Sequence, residues 1–502
     1  TDLTYWEEDP EAAVKALNNC YTYLGNMDEQ LYSEAMTDNA YTKQPNDFTQ
    51  NIGNGSYSTA DSYVKQVWDG RYTGIRMCNQ LLENIDRVPD LDPELKKRYI
   101  GEAKVLRAYN YYELYTKFGD VPYTTKVLSI KESMSIARTD RATVIANMLA
   151  DLDEVINGNY LPASYDADNK GRITRWAAMA IKAKIYLFEG NWTQVKNITS
   201  TIMTEGGFRL FGSYAGLFEI ANEYNSEVIL DAQYRPTSRE HQMMYVFLPP
   251  TLGGYSQLSP LQELVDSYIM LDGKTIRETG TSFDESNPYA NRDPRLKATV
   301  MYTGNSYTLA DGTEVVINCE KGEGKDGYGV GSDCSATGYY IKKYWDNTYR
   351  ATLYSGLNPI LIRYADILLM NAEALAELGE LDKTAWDATI KPIRDRAGFT
   401  LASAVEFPEG ASKDKLIEIV RNERRSELAL EGHRHKDIIR WRIADNVLNG
   451  WCHGLKTNDV VGTDDGYVRV ENRTFNANRH YLWPIPQAER DLNGNLEQNP
   501  NW

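Results

Sequence analysis

The chain has 502 residues, 42% hydrophobic and 25% charged, an ordinary globular composition but too long for one core of usual size, so at least two packed units are expected. Its formal net charge of −17, with no long Lys/Arg run, excludes a nucleic-acid binder that works through a basic face. No apolar run of about 20 residues is present to cross a membrane as a helix, and without a C-x-x-C pair among the five cysteines the zinc-finger and thioredoxin readings fail.

In chain order, residues 8–27 read as a first helix opening at Asp9-Pro10. Residues 31–60 are rich in Asn, Asp, Gly, Ser and Tyr and are too long for a simple connection, which marks a functional loop. The three-four spacing of Trp68, Tyr72, Ile75, Asn79 and Leu82 predicts a helix over 61–87 with Trp68 and Tyr72 in its core. A second helix over 91–118 stops at Gly119-Asp120-Val121-Pro122. Further helices are expected at 141–157, 174–189 and 191–204, the last two joined at Gly190. From 206 to 358 the pattern changes to short β-like runs at 227–234, 297–302 and 339–344, separated by Gly, Pro, Asn and Ser. Helices return at 360–378, 382–396, 412–431 and 434–448, and the tail 449–502 reads as mostly irregular.

Small residues repeat in a pattern that lets helices approach closely. Ala180, Ala183, Tyr186, Gly190 and Trp192 resemble a tetratricopeptide helix pair, and 101–119 and 365–379 repeat the idea. The uneven spacing predicts a mainly α scaffold of tetratricopeptide-like helix pairs interrupted by a loop-rich insertion with a few short strands, not a simple solenoid.

Motifs for chemistry are sparse. No G-x-S-x-G elbow or phosphate-binding Gly loop occurs, and no motif singles out a glycosidase carboxylate pair. His433-x-His435 points two rings apart on a helix and lacks a third ligand. Asp166-x-Asp168-Asn169-x-Gly171 lacks the acid that would complete a calcium loop, since Ala177 stands there. No cofactor or metal is therefore expected. Glu423, Glu427 and Glu431, interleaved with Arg421, Arg424, Arg425 and Arg434, predict a salt-bridge ladder on one helix, partly buried. Cys20 and Cys78 read as core residues; Cys319 and Cys334 flank the Gly-rich loop 320–332, and both a closing disulfide and free thiols stay open.

Several blocks resemble the SusD/RagB family: Glu102-Ala103 with Leu106-Arg107-Ala108, continuing to Phe118-Gly119-Asp120-Val121-Pro122; Gly171 to Ala178; Asn291-Arg292-Asp293-Pro294-Arg295; and Arg363-Tyr364-Ala365-Asp366 with Ala372-Glu373-Ala374. Arg394-x-Arg396, Glu423-Arg424, Glu427, Glu431-Gly432, Arg434 and Asp437 follow. Pro484-Ile485-Pro486 and the closing Gln498-Asn499-Pro500-x-Trp502 complete the order, with Asn501 where the family has Gly. The resemblance implies one SusD-like unit over 1–502 with a right-handed helical scaffold: an N-terminal helical part (8–205), a loop-rich insertion (206–358) and a C-terminal helical part with its tail (359–502). It implies a non-catalytic protein at the cell surface, held in the outer membrane by an N-terminal lipid anchor outside this chain. That protein would bind an oligosaccharide or polysaccharide and partner a SusC-like TonB-dependent transporter.

Saccharide binding needs aromatic faces for the C–H surfaces of a pyranose and Asn, Asp, Arg or Gln for its hydroxyls. The resemblance implies glycan contacts in two regions with that mixture. One holds Asp38, Asn39, Tyr41, Asn46, Asp47, Phe48, Asn51 and Tyr57; the other holds Tyr255, in a Gly-Gly-Tyr loop, and Tyr289, with Tyr302 and Tyr307 further on. The rival readings are a peptide-binding relative, which would show a carboxylate or amine clamp, a glycoside hydrolase, and a bare tetratricopeptide scaffold.

Overall fold

Helix starts in this chain are set by short polar side chains, as seen in the computed structural model, which describes residues 3–44 and 49–502. Asp61 accepts from the Tyr63 and Val64 amides at the head of the Ser62–Asn84 helix, Asp92 from the Leu95 amide ahead of Pro93–Phe118, and Asp140 from the Thr143 amide ahead of Arg141–Asn157. Thr174 opens Arg175–Glu189, and Gly190 closes it in the left-handed conformation, φ +70°, that a glycine adopts without strain. Each of these helices packs on the next in sequence, and Ala12–Tyr21 joins the first two. This is the tetratricopeptide-like pairing the small-residue pattern predicts. The expected 8–27 helix is shorter than that: Leu3–Glu8 and Ala12–Tyr21 are separated at Asp9-Pro10, and Asn26 caps a separate helix, Met27–Tyr32. Trp68 is buried against Phe118 and Tyr72.

Residues up to Gly25, Ser56–Asn191 and Asn476–Trp502 form one compact unit. Its tail is sewn in by the closing motif. Ile485, between two prolines, donates its N–H to Gln498 Oε1 (2.7 Å) and accepts from Gln498 Nε2 (2.9 Å). Asn499 Nδ2 donates to the Phe118 and Trp483 carbonyls (2.8 and 2.7 Å).

The second unit holds Asn26–Gly55 and Trp192–Phe475. Here Trp192–Glu205 packs on Tyr364–Leu378, which packs on Lys413–Glu427. Several expected elements are redrawn. The run at 297–302 is mostly helix, Pro294–Thr299, because the Asp293 carboxylate accepts the Arg295 amide and Pro294 presets the first turn; only Val300–Met301 is strand, paired with Tyr340–Ile341. The first residues of the 360–378 helix are instead a strand, Ile360–Arg363, paired antiparallel with Val228–Asp231. The 31–60 loop folds inward: Ala40–Thr42 pairs with Leu258–Pro260, and Gln50–Asn54 is a short helix. The tail contains a hairpin of Gly450–Lys456 and Tyr467–Arg473. All five cysteines are buried free thiols.

The predicted ladder takes a different form. The acids of Lys413–Glu427 and its extension pair with cations from other elements. Arg363, 1% exposed, uses all five of its N–H donors: Nε to Glu431 Oε2 (2.8 Å), Nη1 to Glu227 Oε1 (2.8 Å) and Glu427 Oε1 (2.7 Å), Nη2 to the Glu427 carbonyl and Glu431 Oε1 (both 2.7 Å). Glu427 also takes Arg295 Nη1 (2.8 Å) and Arg396 Nη2. Burial alone would raise the Glu427 carboxyl, but Arg396, Arg363 and Arg295 outweigh it and hold the group well below the usual carboxylate range. Lys343, pushed down to about 8 by burial, still donates to Glu431 Oε1 (2.7 Å), the Ala429 carbonyl and the Tyr214 hydroxyl. Arg424 bridges Asp366 and Asp437 (2.6 and 2.8 Å).

Removing Arg363 takes away the cation that Glu227, Glu427 and Glu431 share. Arg363→Met should lose roughly 3–5 kcal/mol in urea unfolding or fail to fold, and Arg363→Lys should not restore it, since an ammonium lacks the planar fork. The hairpin gives a pH signature. His453 Nδ1 meets Glu263 Oε1 and its Nε2 meets Asp464 Oδ2, both at 2.8 Å, and these carboxylates raise the imidazole to about 9. Its folded pKa stands above the ordinary 6.5, so this stabilisation is complete below pH 6.5 and is lost as the pH rises through 9. The urea midpoint should fall less between pH 6.5 and 9.5 in His453→Gln than in the parent.

Candidate functional site

In the second unit three tyrosines from separate segments form an aromatic group, two of them exposed and one partly buried. Tyr245 lies on the short helix Met243–Phe247, Tyr255 follows Gly253-Gly254, and Tyr354 lies in the loop before the Ile360–Arg363 strand. The Tyr245 and Tyr255 rings are nearly parallel, 15° apart with centroids at 5.8 Å, and Tyr354 stands edge-on to Tyr245 at 5.9 Å. Tyr255 is 48% and Tyr354 40% exposed.

The backbone beneath fixes these rings. The Tyr255 amide donates to the Tyr245 carbonyl (2.8 Å) and the Gln257 amide to the Val246 carbonyl (2.6 Å). Gly254 is needed for space: a Cβ there would overlap the Leu248 carbonyl. Tyr245 donates its hydroxyl to the Thr352 carbonyl (3.0 Å), and Arg350 Nη1 donates to the Leu252 carbonyl (3.2 Å), so the two loops are tied side by side. Leu353, between exposed Thr352 and Tyr354, is buried in the apolar core and anchors its loop. Asp326 takes both the amide and the hydroxyl of Thr251, which leaves this carboxylate occupied in structure. With Tyr245 stacked on one face of Tyr255, the exposed parts of the Tyr255 and Tyr354 rings offer flat apolar area on a tied base.

The sequence-selected residues separate into distinct environments. Tyr255 is part of the group. Asp38 and Asn39 are buried and committed: Asp38 grips Arg434 through two 2.8 Å bonds, and Asn39 accepts from Arg425 Nε (2.9 Å) while donating to Glu34 (2.8 Å). They follow the inward fold of 31–60 and face the charge network instead of solvent. Tyr41 is half-buried beside Glu471, Cys452 and Arg473, its hydroxyl accepting from Gln50 Nε2 (3.3 Å). Asn46, Asp47 and Phe48 lie outside the described residues. Tyr57 is 3% exposed, between His480 and Trp502 in the first unit, and burial pushes its hydroxyl pKa up. Tyr289 is packed on Tyr302, centroids 4.1 Å apart, with its hydroxyl 3.1 Å from that of Tyr339, and Tyr307 is fully buried. Tyr57, Tyr289 and Tyr307 therefore serve packing. Sequence reasoning missed Tyr245 and Tyr354. Tyr245 sits in an apolar Met-Met-Tyr-Val-Phe run, and only Tyr354-Ser-Gly, a tyrosine beside turn residues, carried a local signal.

The sequence profile described as "SusD family" matches residues 217–502, and one described as "Starch-binding associating with outer membrane" matches 11–187. The chain belongs to the SusD family. A SusD-like protein, P25, from Formosa agariphila is 27% identical over 491 residues, covering 88% of each chain. The crystal structure of a SusD-like carbohydrate binding protein from Bacteroides fragilis superposes with a TM-score of 0.86 at 28% identity, covering 98% of this chain and 100% of that one. A laminarin binding SusD-like protein shares the fold, with a TM-score of 0.72 at 24% identity, 98% of this chain and 99% of that one being covered. The SusD-family blocks in the second unit are the network residues themselves: Asp293, Arg295, Arg363, Glu423, Glu427 and Glu431.

Gly254→Ala should lower stability by roughly 1–3 kcal/mol in urea unfolding, because the added methyl must displace the loop from Leu248.

Proposed function

We propose that this SusD-family chain binds a glycan at the Tyr245–Tyr255–Tyr354 group, without catalysis, and passes it to a SusC-like TonB-dependent transporter in the outer membrane, where a lipid anchor holds the chain. The observation that carries this reading is the pair of half-exposed rings, Tyr255 and Tyr354, both leaning on the partly buried Tyr245 on tied loops. Sugar C–H faces stack on such rings, and Gln257, Thr352 and Arg350 lie in the same two loops to meet hydroxyls. The relatives described as carbohydrate and laminarin binding support the ligand class. Among the described residues no helix is long and apolar enough to cross a membrane. Stacking on open rings buries little area, so affinity for a short oligosaccharide falls in the roughly micromolar-to-millimolar range.

Affinity electrophoresis through a panel of polysaccharides tests the site. One glycan should retard the parent chain. Tyr255→Ala and Tyr354→Ala should each weaken that retardation by roughly tenfold, the factor that about 1.4 kcal/mol produces, with the circular dichroism unchanged. No retardation by any glycan would remove the glycan reading, and shortening of the polysaccharide during the run would overturn the absence of catalysis.

A further inference from the structure

A recess in the same unit is lined by residues far along the chain from the tyrosines. It encloses about 510 Å³ along one face of the Lys413–Glu427 helix, where Asp414, Glu418, Arg421 and Arg425 follow one another at helical spacing. Arg434 and Trp441 complete the inner wall.

Three arginines line the recess, with Glu377 beside Arg421. Arg425 and Arg434 share a single carboxylate: Asp38 takes Nε and Nη2 of Arg434 at 2.8 Å and Nη2 of Arg425 at 3.1 Å. Nη1 of each guanidinium meets no acceptor among the described residues, and both arginines line the recess. Arg421, stacked 4.8 Å over Trp441, reaches Glu377 only at 3.4 Å, and its buried Nε has no acceptor among the described residues. Burial, and then the neighbouring Arg434, push Arg425 down to about 10, whereas Asp38, Asp437 and Glu34 outweigh burial at Arg434 and hold it above the usual guanidinium range. Glu34, beside Arg434, is raised to about 7 by burial and accepts from the Gly432 amide and Asn39.

We infer that this recess is a receptor for a carboxylate-bearing small ligand, whose carboxylate sits on Arg421, Arg425 and Arg434. A guanidinium offers paired N–H groups that match a planar carboxylate. The unmet N–H groups are those of the three guanidiniums, and the recess also carries exposed Asp414 and Glu418, which repel a dianion such as phosphate or sulfate. The rest of the ligand is therefore neutral or cationic. Two sources carry this chemistry: a uronic acid residue of a glycan and the carboxyl end of a peptide.

Titration calorimetry on the full chain, at constant ionic strength, separates them with glucuronate and N-acetylalanine, each against its neutral amide. At least one carboxylate should bind saturably at one site, with its amide weaker by about tenfold or more, as expected for a hydrogen-bonded charge. Arg421→Gln, at the half-exposed end of the wall, should weaken it about fivefold or more at an unchanged urea midpoint, and Tyr255→Ala should leave it unaltered. Binding of glucuronate alone assigns the saccharide source, binding of N-acetylalanine alone the peptide source, and binding of both the shared chemistry. Binding of neither probe overturns the inference. So do equal binding of the amides, indifference to Arg421→Gln, or loss in Tyr255→Ala, which would move the site to the tyrosines.

Discussion

The second unit depends on the burial of Arg363 among Glu227, Glu427 and Glu431. Each ion loses several kcal/mol of hydration on burial, and the attraction between partners offsets this only when every donor and acceptor is met. Arg363 meets that condition with five bonds, and Glu427 with three arginines. Such a network contributes little net stability over a packed apolar core of the same volume. What it does is reject misplacement: a strand slipped by one residue would leave charges unpaired in a low dielectric, at a cost no nearby contact repays.

The tyrosine group inherits that placement. Arg363 ends the Ile360–Arg363 strand, which pairs with Val228–Asp231. Just before the strand, Asn358 donates to Asp231 (3.0 Å) and accepts from the Tyr234 amide (2.6 Å); Ser355 and His241 exchange two 2.9 Å backbone bonds. One step further out stand Tyr354, Thr352 and the hydroxyl of Tyr245. A chain of short links thus runs from a buried guanidinium to an exposed aromatic face. That face is held by what lies beneath it: Tyr245 packs on the apolar core and ties to Thr352, and the more exposed Tyr255 and Tyr354 rings lean on it.

This layering explains what could be read from the sequence. Helices such as 141–157 announce themselves through local periodicity and caps, and the structure places that one at the same bounds. Charged residues inside a helical pattern were also visible, yet Glu427 looked like a partner for arginines on its own helix. Its partners, Arg295, Arg363 and Arg396, come from three other segments, and no periodicity encodes such pairings. For the same reason Asp38 and Asn39 were misread. Polar residues in a long loop suggest exposure unless the Ala40–Thr42 strand that carries them inward is known. Tyr255 was found from its Gly-Gly turn; Tyr245 and Tyr354 join it only through long-range contacts.

The same layering accounts for a family that is legible and a ligand that is not. A buried ion pair tolerates neither a change of charge nor, at a forked guanidinium, a change from Arg to Lys, so network residues such as Arg363, Glu427 and Asp366 are bound to their identities. An exposed aromatic face asks only for flat apolar area in the right place, which Tyr, Trp or Phe on several neighbouring loops can supply. The recess at Arg425 and Arg434 stands between these cases. It is lined by the outer edge of the network, where one carboxylate, Asp38, serves two guanidiniums. Guanidinium N–H groups left unmet by the packing of the fold line that recess, and in this chain that is the place where the constraint holding the structure together can also select what it binds.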